Sequence, residues 1–325
     1  MKKSKITALL LALTMLLALC ACGSAPAVET AAPAQDYQVT DMLGRSVTIP
    51  GETSSYACIG PGCLRLYCYV ADTAKLAGVE DVEASWGSDG RPYTMSISNV
   101  ADMKVIGPGG PGNAPDAEML LAADPDVIFT MYNSDAAAVD ELQQKTGIPV
   151  VALSYGETEV FDQAIYDSFA LIGKITGNDD RATQVTKYMQ DIKTDLAKRT
   201  ENITDKPTVY LGCQSNKGSH GIESTVGNYS LFDALNITNA ALQAGVKEYA
   251  MIDKEKLLDM DPDIIIIDAG GYDLLKEDYA ANPDFYNSLS AVKNGRVYLQ
   301  MPYNYYYTNL EIAMADAYYI GSVVY

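Results

Sequence analysis

Histidine is almost missing from this sequence: His220 is the single one in 325 residues. A site built from several imidazoles, the usual way to hold a bare zinc or manganese ion, cannot be assembled from it. Basic residues are also scarce, 23 against 42 acidic ones, for a formal charge of −19. Lys2, Lys3 and Lys5 lie in a leader expected to be removed, which brings the basic count to 20 and the charge to −22. So acidic a surface repels phosphate backbones and anionic headgroups, and this argues against nucleic acid or an electrostatically bound membrane as partner. No Gly-x-Ser-x-Gly elbow occurs, so the serine-hydrolase arrangement lacks its nucleophile turn; a carboxylate-based surface hydrolase is the enzymatic alternative. An adhesive or sensory role on a binding scaffold is a third, weaker option.

What the chain does contain is apolar area, with 48% hydrophobic residues and 23 tyrosines. That offsets chain entropy and leaves room for two cores rather than one. The first 21 residues combine three lysines with an apolar stretch from Ile6 to Ala21, about 24 Å as helix and too short to cross a bilayer comfortably. They read as an export signal. Leu19-Cys20-Ala21-Cys22-Gly23 places a small residue just before a cysteine, the pattern of a lipoprotein cleavage box, so Cys22 is expected to become the lipidated first residue. Residues 22–36, rich in Ala and Pro, then serve as a flexible tether. Downstream, Cys58, Cys63, Cys68 and Cys213 lack zinc-knuckle spacing and read as small buried residues, their redox state open.

From Tyr37 onward, β-branched runs alternate with helical patterns, the form of an α/β protein with mostly parallel sheets. Strands are expected at Tyr56–Ile59, Lys104–Ile106, Val127–Thr130, Val150–Leu153, Thr208–Leu211, Ile264–Asp268 and Val297–Gln300. The chain matches itself at an offset of 137: residues 118–128, EMLLAADPDVI, recur as residues 255–265, EKLLDMDPDII, with seven identities in eleven positions. Each copy reads as a short helix with two leucines on one face, ended by Asp-Pro-Asp because the residue before Pro leaves the α region, then a buried strand. Loops at the carboxyl ends of parallel strands are where open α/β sheets bind ligands. Between the copies, apolar residues at three- and four-residue steps, Ala182, Val185, Tyr188, Met189, Ile192 and Leu196, predict a long helix capped by Asn178-Asp179-Asp180. It is long enough to be a strut between two halves. The expected organisation is a lobe over 37–178, a linking helix over 179–203 and a second lobe over 204–325.

Several segments together resemble one family. Residues 39–50, VTDMLGRSVTIP, look like the opening hairpin of the periplasmic binding proteins that serve ABC importers of ferric siderophores, haem and cobalamin. The two Asp-Pro-Asp units, Thr146-Gly147-Ile148-Pro149-Val150 and residues 291–298, AVKNGRVY, are similar to that family's usual wording. The resemblance covers nearly the whole chain after the tether. It implies a class III periplasmic binding protein: two Rossmann-like lobes joined by one long backbone helix, a ligand cleft between them, no catalysis, no resident cofactor and a monomeric state. It also implies an ABC permease and its ATPase as partners, with one Glu per lobe docking to permease arginines; Glu118 and Glu255 occupy the matching positions, the alternative for each being a solvated acid at a helix start.

Candidates for the cleft come from the strand-exit loops. The first lobe offers Arg65, Trp86, Arg91 and Tyr93, then Tyr132, Asn133 and Tyr155. The second offers His220, Tyr272, and the tyrosines Tyr303, Tyr305, Tyr306 and Tyr307. Aromatic faces hold planar or catecholic ligands, Tyr hydroxyls add hydrogen bonds, and Arg suits an anionic ligand. If residues 303–307 are extended, at least half of those tyrosines point inward. Arg65 either lines the cleft or pairs with an acid. His220 is either an axial ligand to a chelated metal or a hydrogen-bonding loop residue. The expected ligand is a metal chelate, ferric siderophore first, with haem, cobalamin or an oxyanion such as molybdate as alternatives.

Overall fold

A computed structural model describes residues 34–132, 135–157 and 160–325. The leader, Cys22, most of the tether and Asn133 lie outside the described residues. Residues 36–325 form one unit.

The chain opens with an antiparallel hairpin, β1 (Tyr37–Thr40) and β2 (Ser46–Ile49). The first parallel sheet has the order β3 (Tyr56–Ile59), β4 (Val127–Thr130), β5 (Val150–Ala152). Its connecting helices are α1 (Cys63–Val70), α2 (Asp81–Ser85), α3 (Ala117–Ala123) and α4 (Ala136–Thr146), followed by α5 (Gln163–Thr176) and the long α6 (Asp179–Thr200). A second parallel sheet then forms from β6 (Thr208–Gly212), β8 (Thr238–Asn239), β10 (Ile264–Asp268) and β11 (Val297–Gln300), in the order β11-β10-β6-β8. Between its members lie α7 (Ser230–Ala234), α8 (Ala240–Gln243), α9 (Lys254–Met260), α10 (Tyr272–Ala281), α11 (Pro283–Ser288) and α12 (Ser290–Lys293); β7 (Ser224–Val226) and β9 (Tyr249–Met251) form a small antiparallel pair, and α13 (Leu310–Val324) closes the chain. The fold is α/β with mostly parallel sheets.

The strands β3, β4, β10 and β11 fall on the residues that the sequence indicates. Lys104–Ile106 does not form a strand; Val105 makes a single bridge to Val79. Its backbone partners come from one loop, too little to extend the sheet.

The internal repeat lands once in each sheet, as α3–β4 and α9–β10. An aspartate caps each helix, Asp116 accepting from Met119 N and Asp253 from Lys256 N. Each helix ends with its Asp in the left-handed region, Asp124 at φ 54° and Asp261 at φ 34°. The residue before Pro therefore leaves the α region, but into the left-handed cap rather than the extended basin. The two leucines do not share a face. Leu120 and Leu257 are fully buried, while Leu121 and Leu258 are exposed, because neighbouring residues on a helix are about 100° apart. The second Asp of each copy ties down the neighbouring strand: Asp126 Oδ2 accepts from Ser54 N at 2.7 Å and Ser55 N at 2.9 Å before β3, and Asp263 Oδ2 from Thr208 N at 2.8 Å in β6.

Helix α6 has 22 residues, about 33 Å. It buries Ala182, Met189, Ile192 and Leu196, whereas Tyr188 points outward. It packs on α5 and α1 of the first half and on α7 and α13 of the second. Instead of the two separate cores that composition leaves room for, one large hydrophobic core runs through both halves, from Val127 and Phe129 to Leu211 and Ile266, with a smaller cluster in each half. Asn178 does not cap the helix with its side chain; the amide instead donates to Thr176 O at 3.0 Å. The first-turn acids Asp179 and Asp180 face the positive end of the helix dipole.

Candidate functional site

The exits of both sheets converge on one segment. After β11 the chain runs through Met301 to Asn309 and lies over the exits of the first sheet. Tyr306 and Tyr307 are non-glycine residues in the left-handed region, φ 49° and 74°, at a cost of about 1 kcal/mol or more each. This turn breaks the extended alternation: Tyr303 and Tyr306 are buried, Tyr305 is exposed and Tyr307 is half-buried.

Arg65 on α1 holds the turn in place. Its Nε donates to Asn309 Oδ1 at 3.0 Å, one NH group to Thr308 O at 3.0 Å, and the other to Tyr305 O at 2.9 Å and Tyr306 O at 3.2 Å. Its guanidinium lies 4.5 Å from the centroid of the Tyr93 ring. These acceptors are neutral, so a full positive charge is buried just under the aromatic surface. It neither meets solvent nor pairs with an acid. The loop preceding α1 makes room for this: Gly60 and Gly62 sit at φ 89° and 79°, and a Cβ on Gly62 would lie 2.9 Å from the Tyr155 ring and 3.0 Å from Tyr307 Cβ. The Tyr155 hydroxyl donates to Gly62 O at 3.1 Å, and its ring meets Tyr307 with centroids 4.6 Å apart.

A second buried guanidinium, Arg91, pairs with Glu83 at 2.6 Å and also donates to Gly87 O. Tyr93 donates to the same Glu83 oxygen at 2.6 Å. Burial pushes the Glu83 carboxyl up, while the Tyr93 hydroxyl and Arg91 pull it back. Glu83 Oε1 and Arg91 Nε are buried without hydrogen-bond partners. Above Arg91 stand Trp86 and Tyr305, 5.8 and 5.9 Å from its guanidinium carbon. The two rings pack on each other at 5.8 Å, and they are 40% and 43% exposed. The outcome is an open aromatic surface backed by buried positive charge.

Glu80, 2% exposed, is the other link between the halves. Its Oε2 accepts from Gly60 N at 3.0 Å and from the Tyr306 hydroxyl at 2.8 Å; that hydroxyl in turn accepts from Gly110 N at 3.0 Å. Burial raises the Glu80 carboxyl to about 7 despite these hydrogen bonds. Tyr132, at the exit of β4, has its own hydroxyl raised by burial and by Glu80.

In the second half, Asp268 at the end of β10 accepts from Gly270 N at 2.8 Å and Ser215 N at 3.2 Å, and burial raises its carboxyl. Asn304 donates to Ser215 O at 3.3 Å, joining the β6 and β11 exits. His220 donates from Nε2 to Asn216 O at 2.8 Å and packs near Tyr249, and Tyr272 carries Lys276 over its ring at 5.0 Å; both contacts stay within the second half. Glu118 and Glu255 are exposed on α3 and α9, each at the second residue of its helix.

The structure thus brings together Arg65, Trp86, Arg91, Tyr93, Tyr155 and the turn Tyr303–Tyr307. Glu80, Glu83 and Asn309 escape a sequence reading: an acid-rich stretch such as Val79–Glu83 looks like solvated surface, and only the fold turns it inward. Among the described residues no group of three or more His, Cys, Asp or Glu side chains comes together to hold a metal ion, and no helix is long and apolar enough to cross a membrane. Two open depressions of about 660 and 790 Å³ flank α6 and share Lys193 and Thr194; the first is also lined by Phe161 and Asp162 at the end of the β5–α5 loop.

A profile of the family described as periplasmic binding protein matches residues 67–303. An ABC transporter substrate-binding lipoprotein of Bacillus subtilis, YvrC, is 22% identical over 263 residues, 80% of this chain and 76% of its own. The Fe(3+)-citrate-binding protein YfmC of the same organism is 26% identical over 221 residues, 64% of this chain and 66% of its own. Among solved structures, the molybdate periplasmic binding protein MolA of Haemophilus influenzae superposes with a TM-score of 0.64 at 19% identity, covering 89% of this chain and 91% of its own. At that identity the likeness is one of fold.

Proposed function

This chain belongs to the periplasmic binding protein family, as a substrate-binding protein of an ABC transporter, and on that premise we propose that it captures an anionic ferric chelate on the strand-exit surface and delivers it to an importer. The observation that carries the reading is the open Trp86–Tyr305 pair over the buried Arg91, with Arg65 buried beside it under Tyr93; of the two buried carboxylates nearby, Glu83 pairs with Arg91, and Glu80, raised to about 7, is only partly ionised at neutral pH, so Arg65 is left without an acid partner. Aromatic faces take up the apolar or planar part of a chelate, and uncompensated positive charge beneath them favours an anion. The ligand brings its own metal, so the surface has only to hold the outer atoms of the chelate. The similarity to a Fe(3+)-citrate-binding protein supports the ferric class. Export and lipid attachment at Cys22 complete the proposal, tethering the protein beside the permease on the outer side of the cell membrane.

A panel of ferric citrate, a ferric catecholate, haem, cobalamin and molybdate, scanned by melting temperature, tests the ligand class. A ferric chelate that raises the midpoint by several degrees at a hundredfold excess over a micromolar dissociation constant supports the reading, since such binding contributes about 2.7 kcal/mol. A shift produced by molybdate, haem or cobalamin alone replaces the chelate class; no shift with any of them removes it.

A further inference from the structure

The repeat retains seven identical positions, and the fold accounts for five. Leu120 and Leu257 are core residues, Asp124 and Asp261 are left-handed helix caps, and Pro125 and Pro262 are buried. Asp126 and Asp263 tie down neighbouring strands, and Ile128 and Ile265 are strand core. Two identities remain, and both are on the surface: Glu118 with Glu255, and Leu121 with Leu258.

Glu118 and Glu255 each sit in the first turn of a helix, where the dipole favours an acid. Each Glu is exposed with no ion pair among the described residues, and the leucines are 47% and 39% exposed. Their surface neighbours have diverged between the copies, Ala122 becoming Asp259 and Met119 becoming Lys256. A half-exposed leucine contributes only part of what a core leucine does, yet both copies keep it where their surface neighbours have changed. Glu and Leu three residues apart lie side by side on a helix surface. Each half therefore presents the same patch, one carboxylate beside one apolar side chain.

We infer that Leu121 and Leu258 are contact residues of a docking surface for the transporter's permease, which must offer the same socket twice: a cationic side chain beside an apolar hollow. This rests on the importer reading above. It adds the apolar half of the contact: the carboxylates steer and orient the partner, and the leucines supply the desolvated centre on which residence time depends. The duplicated patch, and the complementarity of an unpaired acid on a chain of charge −19, point to a cationic partner with twofold or pseudo-twofold symmetry.

The test uses the full chain in its own cells, with a photo-crosslinking amino acid at position 121 or 258 and mass spectrometry of the product. The expected adduct at both positions is a polytopic permease subunit, linked at a segment that contains Arg or Lys; an adduct to another class of protein, or none from either position, overturns the inference. In parallel, the double variant L121S/L258S is expected to lower uptake of radiolabelled ferric citrate about tenfold or more with its dissociation constant unchanged. Leu274→Ser, on α10 and 42% exposed but outside the repeat, is expected to leave uptake alone. Uptake that survives in the double variant, or ligand affinity that falls with it, counts against the docking role. If wild-type protein does not bind ferric citrate, the ligand class fails, and the crosslinks still decide the docking surface.

Discussion

The Nε of Arg65 reaches Oδ1 of Asn309 at 3.0 Å across 244 positions of sequence. That contact, with the three carbonyls beside it, fastens the turn of the second half to the first helix of the first half. A buried guanidinium that satisfies several acceptors at once is hard to replace: removing it strands those carbonyls, and a shorter cation reaches only some of them. Arg65→Met is expected to destabilise the protein by about 3 kcal/mol in urea unfolding and to weaken chelate binding, because the Tyr305 ring is then no longer held in place. A variant as stable as wild type would show that the turn is held by other means.

Glu80 makes stability depend on pH in a defined direction. Its ordinary value is 4.5 and its folded value about 7, so below pH 4.5 it is protonated in both states. Between 4.5 and 7 the folded chain holds a proton that the unfolded chain has released, and stability falls as pH rises; above 7 the full cost is present, an upper limit of about 3 kcal/mol. Asp316, raised by burial to about 7, adds a loss of the same sign. Glu80→Gln keeps an acceptor for Gly60 and Tyr306 and is expected to unfold at higher urea than wild type at pH 8, but at about the same urea at pH 4. Equal midpoints at pH 8 would mean that the carboxylate is not buried at a cost.

The two tie-down aspartates should behave alike. Asp126→Ala and Asp263→Ala each remove bonds at a half-exposed strand entry and are expected to cost about 1 kcal/mol apiece, nearly additively, since they serve separate sheets. A large difference between them would show that the halves are not equivalent in structure.

The carboxylates of the repeat are expected to matter for delivery alone. Glu118→Lys with Glu255→Lys should lower chelate uptake at least tenfold while leaving the dissociation constant within about twofold. Loss of affinity in that variant would move both residues from the docking surface to the ligand surface.

Much of the fold was legible in the residues. The runs at Tyr56–Ile59, Val127–Thr130 and Ile264–Asp268 are strands of those bounds, because buried parallel strands carry continuous apolar runs, and Val297–Gln300 forms the half-exposed edge strand of the second sheet. Lys104–Ile106 misled because two β-branched residues, Val105 and Ile106, fit a strand or a lone bridge equally well. The repeat was legible, yet the face of each leucine was not: adjacency in sequence hides a 100° rotation. At the site, Trp86, Tyr305 and the two arginines were visible as residue types. Glu80, Glu83 and Asn309 were not, since a buried acid and a solvated one look alike until the fold supplies their partners, and the left-handed turn at Tyr306–Tyr307 has no glycine to announce it.

The most direct measurement is a titration of the lone tryptophan, Trp86, by its fluorescence, with ferric citrate against metal-free citrate as control. Ferric chelate bound beside the Trp86–Tyr305 pair should quench that emission saturably at micromolar concentration or below, and Tyr305→Ala should weaken the response about tenfold with free citrate inert throughout. Emission that stays unchanged to millimolar ferric chelate, or that responds equally to free citrate, would contradict the assignment of this surface as the place where the metal complex is held.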